Sequence, residues 1–240
     1  EDFQKLLQAT YRPTWTRDRR KHNPEQPNVP QGYRVVEAWH NENSKQWRQY
    51  SIKRESLKKS APGEALFSEY TNVKSALAWS QLTSAGRERV QLAPAANEWY
   101  LFHGCSPEAA RNIVRTGFKM SFAGRNTGTL YGRGTYLAES ITKSDEYSKP
   151  NGAGCYAVLL CRALGGVVRY TDEVTPDPEE LVCSCIEGPY DCILGDREKC
   201  RNTFREFVFF DTEHLYPEYV LHYTREYPAP PPPPPSAPAP

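Results

Sequence analysis

Two tyrosines, a histidine, a glutamate and a set of turn glycines are the residues of this chain whose types and spacing could do chemistry. The run Trp-Tyr-Leu-Phe-His-Gly closes an apolar stretch at His103 and Gly104. The run Gly-Arg-Gly-Thr-Tyr opens the next and ends at Tyr136, and Ser144 and Tyr147 follow, three residues apart. Glu206 stands far downstream, at the head of the apolar run Glu-Phe-Val-Phe-Phe. A stacking pair of tyrosine rings with a histidine and a carboxylate is what a pocket for a flat ring carried on a sugar needs. Each residue also has a plainer reading. Tyr136 and Tyr147 can be core aromatics, and a lone buried histidine is often a satisfied structural residue. Glu206 is the harder case, because a carboxylate at the head of an apolar strand is costly without a partner. Its neighbour Arg205 points to the opposite face of a strand, so Glu206 either stays at a solvent edge or serves a ligand.

The elements that position these residues can be read from pattern. Asp2 to Tyr11 has apolar positions at helical spacing, and Pro24, Pro27 and Pro30 interrupt regular structure before the next element. Tyr33 to Asn41 predicts a strand, and Ser44 to Lys59 an amphipathic helix whose Trp47, Tyr50, Ile52 and Leu57 pack on a core. The run ending at Gly104 predicts a strand. Ser106 caps the next helix, Pro107 suits its first position and Gly117 its end. The glycine-rich stretch from Ser121 to Gly134 predicts a covering loop. Thr135 to Ser140 predicts a strand entering a helix near Ile141, on which Ser144 and Tyr147 share a face. Gly154 to Leu164 is a continuous apolar run, hence a strand buried on both faces. Val167 to Asp172 predicts another strand, then a long polar connection with prolines, then one strand within Tyr190 to Cys200. In Phe204 to Leu215 the faces alternate, with Glu206, Val208 and Phe210 on one side and Arg205, Phe207 and Phe209 on the other. Glu218 to Tyr227 predicts the last strand.

Bulk composition limits the classes of function. The net charge of +1 gives no global field for nucleic acid or acidic lipid, so nucleic acid is not indicated. The basic run Arg17, Arg19, Arg20 and Lys21 reads as a solvated face. No apolar stretch is long enough to span a membrane, and no leader pattern opens the chain. Seven cysteines, several inside apolar runs, suit a reducing compartment, so the chain is expected to be intracellular, in nucleus or cytoplasm. Cys183, Cys185, Cys192 and Cys200 lack paired metal-knuckle spacing, and no metal is expected. Pro228 to Pro240 predicts an extended polyproline segment, read as a linker, with a polyproline-binding domain as an alternative partner. The expected organisation is an extension over 1–30, one catalytic domain over 31–227 and a proline-rich tail over 228–240.

Taken together and in this order, the motifs resemble the catalytic domain of the poly(ADP-ribose) polymerase-like ADP-ribosyltransferases. The family's His-Tyr-Glu triad falls on His103, Tyr136 and Glu206, and its following Ser and Tyr on Ser144 and Tyr147. The resemblance implies an α+β fold with a mixed, mostly antiparallel split sheet, helices outside, and an NAD+ cleft between the sheet halves. It implies transfer of ADP-ribose from NAD+ to an acceptor protein, which could be the chain itself, with release of nicotinamide. Gly104 would meet the nicotinamide amide with its backbone, Ser144 would add a hydroxyl, and Tyr136 and Tyr147 would sandwich the ring. His103 would hold a ribose hydroxyl, and Arg125 and Asn126 would lie near adenosine or phosphate. Glu206 would stabilise the positive charge that grows on the ribose. Cys105 stands where the family more often has Ser or Thr, so its contact with the adenosine ribose is weakened. A triad Glu accompanies polymer synthesis in the family, yet some members that keep it transfer single units, and single transfer is favoured here. The alternative is a silent NAD- or ADP-ribose-binding module of the same fold with a partner-binding tail. No long helical regulatory region like that of the DNA-break-activated members is expected.

Overall fold

A computed structural model describes residues 1–60, 71–82, 91–122 and 130–228. Arg125, Asn126 and the polyproline run lie outside the described residues, apart from its first proline, Pro228. The described residues form an α+β structure around one open sheet of eight strands: β1 (Gly32–His40), β2 (Glu98–Cys105), β3 (Thr135–Ala138), β4 (Tyr156–Leu164), β5 (Val168–Thr171), β6 (Cys192–Asp196), β7 (Arg205–Phe209) and β8 (Leu215–Glu226). Their order is β1-β8-β4-β2-β3-β7-β6-β5. Only β5 and β6 run parallel, so the sheet is mixed and mostly antiparallel.

The split lies between β2 and β3, which register at one residue pair, Phe102 with Ala138. On one side, β2 pairs with β4 along its whole length, from Glu98 opposite Leu164 to Cys105 opposite Ala157. On the other, β3 pairs with β7 from Thr135 opposite Phe209 to Ala138 opposite Glu206. Each half-sheet is thus well tied internally, and a cleft opens where β2 and β3 part.

Helices cover both faces. α1 (Asp2–Thr10) and α4 (Lys74–Leu82) bring Leu6, Leu7 and Trp79 onto Phe102, Val158, Leu160 and Leu221. On the opposite face, α5 (Pro107–Thr116) brings Ala110 onto Leu101, Leu159 and Phe207. Ser106 caps α5 by accepting from the Ala109 N–H, and Gly117 ends it at φ 83, where a side chain would be strained. α3 (Ser44–Ser60) buries Tyr50 against Ala96, Leu164 and Tyr216, but Ile52 is turned out to solvent, so the apolar face is narrower than its sequence spacing implies.

Two readings of the sequence are corrected. The polar connection after β5 contains α7 (Pro178–Ile186), opened by Asp177, whose carboxylate accepts from the N–H groups of Glu179 and Glu180. Pro178 sits at its first turn, where proline favours a helix rather than breaking it. The basic run forms α2 (Arg17–His22), and Arg19 is fully buried in an ion pair with Asp145 at 2.9 Å, not solvated. A buried guanidinium is tolerable only with such partners.

Among the described residues, no helix is long and apolar enough to cross a membrane. All seven cysteines are unpaired, and no three His, Cys, Asp or Glu side chains among the described residues gather as a metal site.

Candidate active site

The cleft between the half-sheets is lined by side chains from β2, β3, β7 and one short helix. That helix, α6 (Ile141–Asp145), follows β3 directly and is buried along its length. It lies against Gly104: a Cβ built on that glycine would come within 1.7 Å of the Ser144 carbonyl oxygen. Glycine is therefore required here by helix packing as well as by any ligand. Ser144 is buried, and its hydroxyl donates to the Phe102 carbonyl at 2.9 Å. With that proton used, its oxygen keeps lone pairs to accept from an amide N–H.

Tyr147 lies just beyond α6, in the turn that ends it, rather than on the helix as the spacing with Ser144 suggested. Tyr136 is on β3 with its ring partly exposed. Its hydroxyl donates to the Gly132 carbonyl at 2.9 Å and accepts from the Tyr131 N–H at 3.1 Å, which fixes the ring. Burial and the nearby Glu206 carboxylate raise the pKa of both Tyr136 and Tyr147, so both stay neutral phenols.

His103 bridges the gap, with its Nδ1 at 2.9 Å from the Tyr136 carbonyl oxygen. A carbonyl only accepts, so Nδ1 carries the proton and Nε2 keeps its lone pair. Phe118 packs edge-on against the ring, 5.1 Å between centroids. Burial lowers the pKa of His103, holding it neutral and ready to accept from a hydroxyl.

Glu206 points into the same cleft. Its carboxylate meets Lys143 Nζ at 3.3 Å. Lys143 is a residue that sequence reasoning missed. Its ammonium also reaches Glu146 at 3.1 Å, Asp18 at 2.8 Å and the Tyr147 hydroxyl at 3.3 Å. Burial alone would lower its pKa, but Glu206, Glu146 and Asp18 outweigh it and hold the ammonium firmly charged. One cation thus ties the carboxylate of β7 to the aromatic residue after α6. The sequence signals were the i, i+3 spacing of Lys143 with Glu146 and the i, i+4 spacing with Tyr147.

Cys105 does not join them. Its side chain is buried in the apolar cluster with Leu101, Ala157 and Leu159, and burial pushes the thiol up to about 12. Cys105 falls on the same face of β2 as Leu101 and His103, and what sets it apart is its enclosure among the apolar residues of that face. The expected ribose contact is withdrawn.

Four of the histidines have a measurable consequence for stability. Burial lowers the pKa of His22, His103, His214 and His222 in the folded protein from the ordinary 6.5. Between pH 6.5 and the lowered values, the unfolded chain binds protons that the folded chain refuses. Stability from these groups is therefore complete above pH 6.5 and lost as pH falls. Urea midpoints are expected to drop from pH 7.5 to pH 5.5, and the drop should shrink in His103→Gln. An unchanged slope in that variant would remove His103 from the set.

The catalytic-domain model of the poly(ADP-ribose) polymerases matches residues 10–188. Mouse protein mono-ADP-ribosyltransferase PARP10 is 46% identical over 71 residues, 29% of this chain and 7% of the relative. Human protein mono-ADP-ribosyltransferase PARP14 is 30% identical over 129 residues, 52% of this chain and 7% of the relative. The poly(ADP-ribose) polymerase tankyrase of Caenorhabditis elegans is 35% identical over 105 residues, 42% of this chain and 5% of the relative. The chain spans only a small part of the length of these relatives. The matched span runs from the last residue of α1 to just past the end of α7 and includes His103, Tyr136, Lys143 and Tyr147, while Glu206 lies beyond it. With the split sheet, the match makes the chain a member of the poly(ADP-ribose) polymerase catalytic-domain family.

Proposed function

We propose that this chain transfers single ADP-ribose units from NAD+ to a protein acceptor, itself included. The observation that carries the reading is the convergence of His103, Tyr136, Tyr147 and Glu206 on one cleft, with Lys143 joining the last two. Relatives named as mono-ADP-ribosyltransferases support the single-unit reading. Seven unpaired thiols support a reducing compartment.

The residues fit NAD+ on their own chemistry. NAD+ supplies the ADP-ribosyl group: the bond from the ribose carbon to the pyridinium nitrogen breaks, nicotinamide leaves with the electron pair, and the acceptor takes its place. The Tyr136 and Tyr147 rings are partly exposed and offer π faces to a flat cation. The Ser144 oxygen accepts from the amide, and backbone groups of Gly104 on the open side of β2 complete its recognition. His103 Nε2 accepts from a ribose hydroxyl. Glu206 accepts from another and lies where positive charge grows on the sugar, so its stabilisation is greater in the transition state than in the ground state. Lys143 holds that carboxylate in place at 3.3 Å, and Glu206 serves as the base for an incoming acceptor proton.

Two measurements test this. The protein incubated with labelled NAD+ is analysed by intact mass and gel. A single mass increment supports the proposal, a ladder replaces it with polymer synthesis, and free nicotinamide without adduct replaces it with hydrolysis. Complete inertness would restore the silent-module reading. In Tyr147→Ala, the Kd for NAD+ is expected to rise about tenfold, the worth of one stacking and cation–π partner. An unchanged Kd would exclude Tyr147 from the ring pocket.

A further inference from the structure

We infer that Asp18, on the N-terminal helix α2, is a positioning residue for the active site, acting through the Tyr147 hydroxyl. The inference rests on the assignment of Tyr147 to NAD+ binding. Asp18 Oδ2 accepts from the Tyr147 hydroxyl at 2.9 Å and from Lys143 Nζ at 2.8 Å. Those two groups are the ones that link the aromatic wall of the cleft to Glu206.

Three observations give the contact its function. First, Tyr147 lies past the end of α6, so its ring is oriented by the contacts around it: the His22 ring at 4.8 Å, Lys143 Nζ at 5.2 Å from the ring centre, and the groups that hold its hydroxyl. Asp18 and Lys143 are the partners that hold it. Second, the Lys143 ammonium has three protons and four acceptors in reach: Asp18, Glu146, Glu206 and the Tyr147 hydroxyl. Asp18 makes the shortest of these contacts, so it sets where the ammonium rests between Tyr147 and Glu206. Third, Asp18 is delivered there by a built framework. Arg19 pairs with Asp145 at 2.9 Å and donates to the Thr142 carbonyl at 2.8 Å. The Thr16 hydroxyl donates to Glu146 at 2.8 Å, and the Asn23 amide donates to the Glu146 carbonyl at 2.8 Å. The segment from Thr16 to Asn23 thus clasps α6 and its turn from outside, and the His22 ring lies 4.8 Å from that of Tyr147. The residues ahead of β1 form part of the cleft's architecture, although the sequence read them as an extension.

The test is steady-state kinetics with NAD+ on the full chain, with thermal melting of each variant as a fold check. Wild-type turnover is measured first; its absence overturns the underlying assignment and this inference together. Asp18→Ala is expected to raise KM for NAD+ about tenfold with kcat within about threefold, the pattern of lost uniform binding. Asp18→Asn keeps one oxygen to accept both hydrogen bonds and should rescue most of the KM. The decisive arm is the pair with Tyr147→Phe: without the hydroxyl, Asp18→Ala should add nothing further to KM. An active wild type whose KM ignores Asp18→Ala overturns the inference alone. So does an Asp18→Ala effect that is fully additive with Tyr147→Phe, which would mark Asp18 as a fold-stabilising residue.

Discussion

Glu206→Ala is expected to cut ADP-ribosyl transfer more than about a hundredfold, corresponding to about 3 kcal/mol of transition-state stabilisation, while leaving NAD+ binding within a few-fold. The selectivity of the loss follows from where the charge develops. On the proposed reading, the positive charge of the pyridinium ring in the ground state sits between the tyrosines, whereas the charge on the sugar appears only as the bond opens, beside the carboxylate. The fold should survive, because Lys143 keeps Asp18 at 2.8 Å and Glu146 at 3.1 Å after Glu206 is gone. Loss of one carboxylate therefore does not strand a buried ammonium, the usual cause of collapse when an ion pair is broken. Single-turnover rates and a separate binding titration check the division. Near-normal transfer by the variant would remove Glu206 from the mechanism, and a parallel loss of binding would make it a ligand clamp.

Gly104→Ala is expected to be almost as damaging, for a steric reason. The added methyl would stand 1.7 Å from the Ser144 carbonyl oxygen and 2.6 Å from its carbon, both backbone atoms that no rotamer change can move. The α6 backbone must therefore shift, carrying Ser144, Lys143 and Tyr147 with it. Overpacking of this kind costs about 1–3 kcal/mol in stability. A displacement of about 1 Å in groups that orient a substrate costs about a hundredfold in rate. Activity should fall further than the melting temperature alone explains. A fully folded, fully active alanine variant would mean that α6 is not held against β2 as found.

The scaffold was legible because its signals are local. The apolar run of β4, the Ser106 cap and Gly117 stop of α5, and the alternation that puts Glu206 and Val208 on one face of β7 all lie within a few residues of one another. His103, Tyr136, Ser144 and Tyr147 were legible because they sit in recognisable runs, and the fold brings them to one cleft. Lys143 and Arg19 were illegible for the opposite reason. Each reads in isolation as a surface cation. The partners that bury them, Glu206 for Lys143 and Asp145 for Arg19, are distant in sequence and meet them only in the folded chain. Cys105 erred differently: its motif position invited a ligand role, while the apolar cluster around Leu101 and Ala157 encloses its thiol.

The single residue pair between Phe102 and Ala138 carries one more consequence. The walls of the cleft belong to different half-sheets: Gly104 and His103 to one, Tyr136 and Glu206 to the other. A substrate gripped by both is therefore also a rivet between them, and occupancy of the cleft and cohesion of the molecule become two readings of the same free energy.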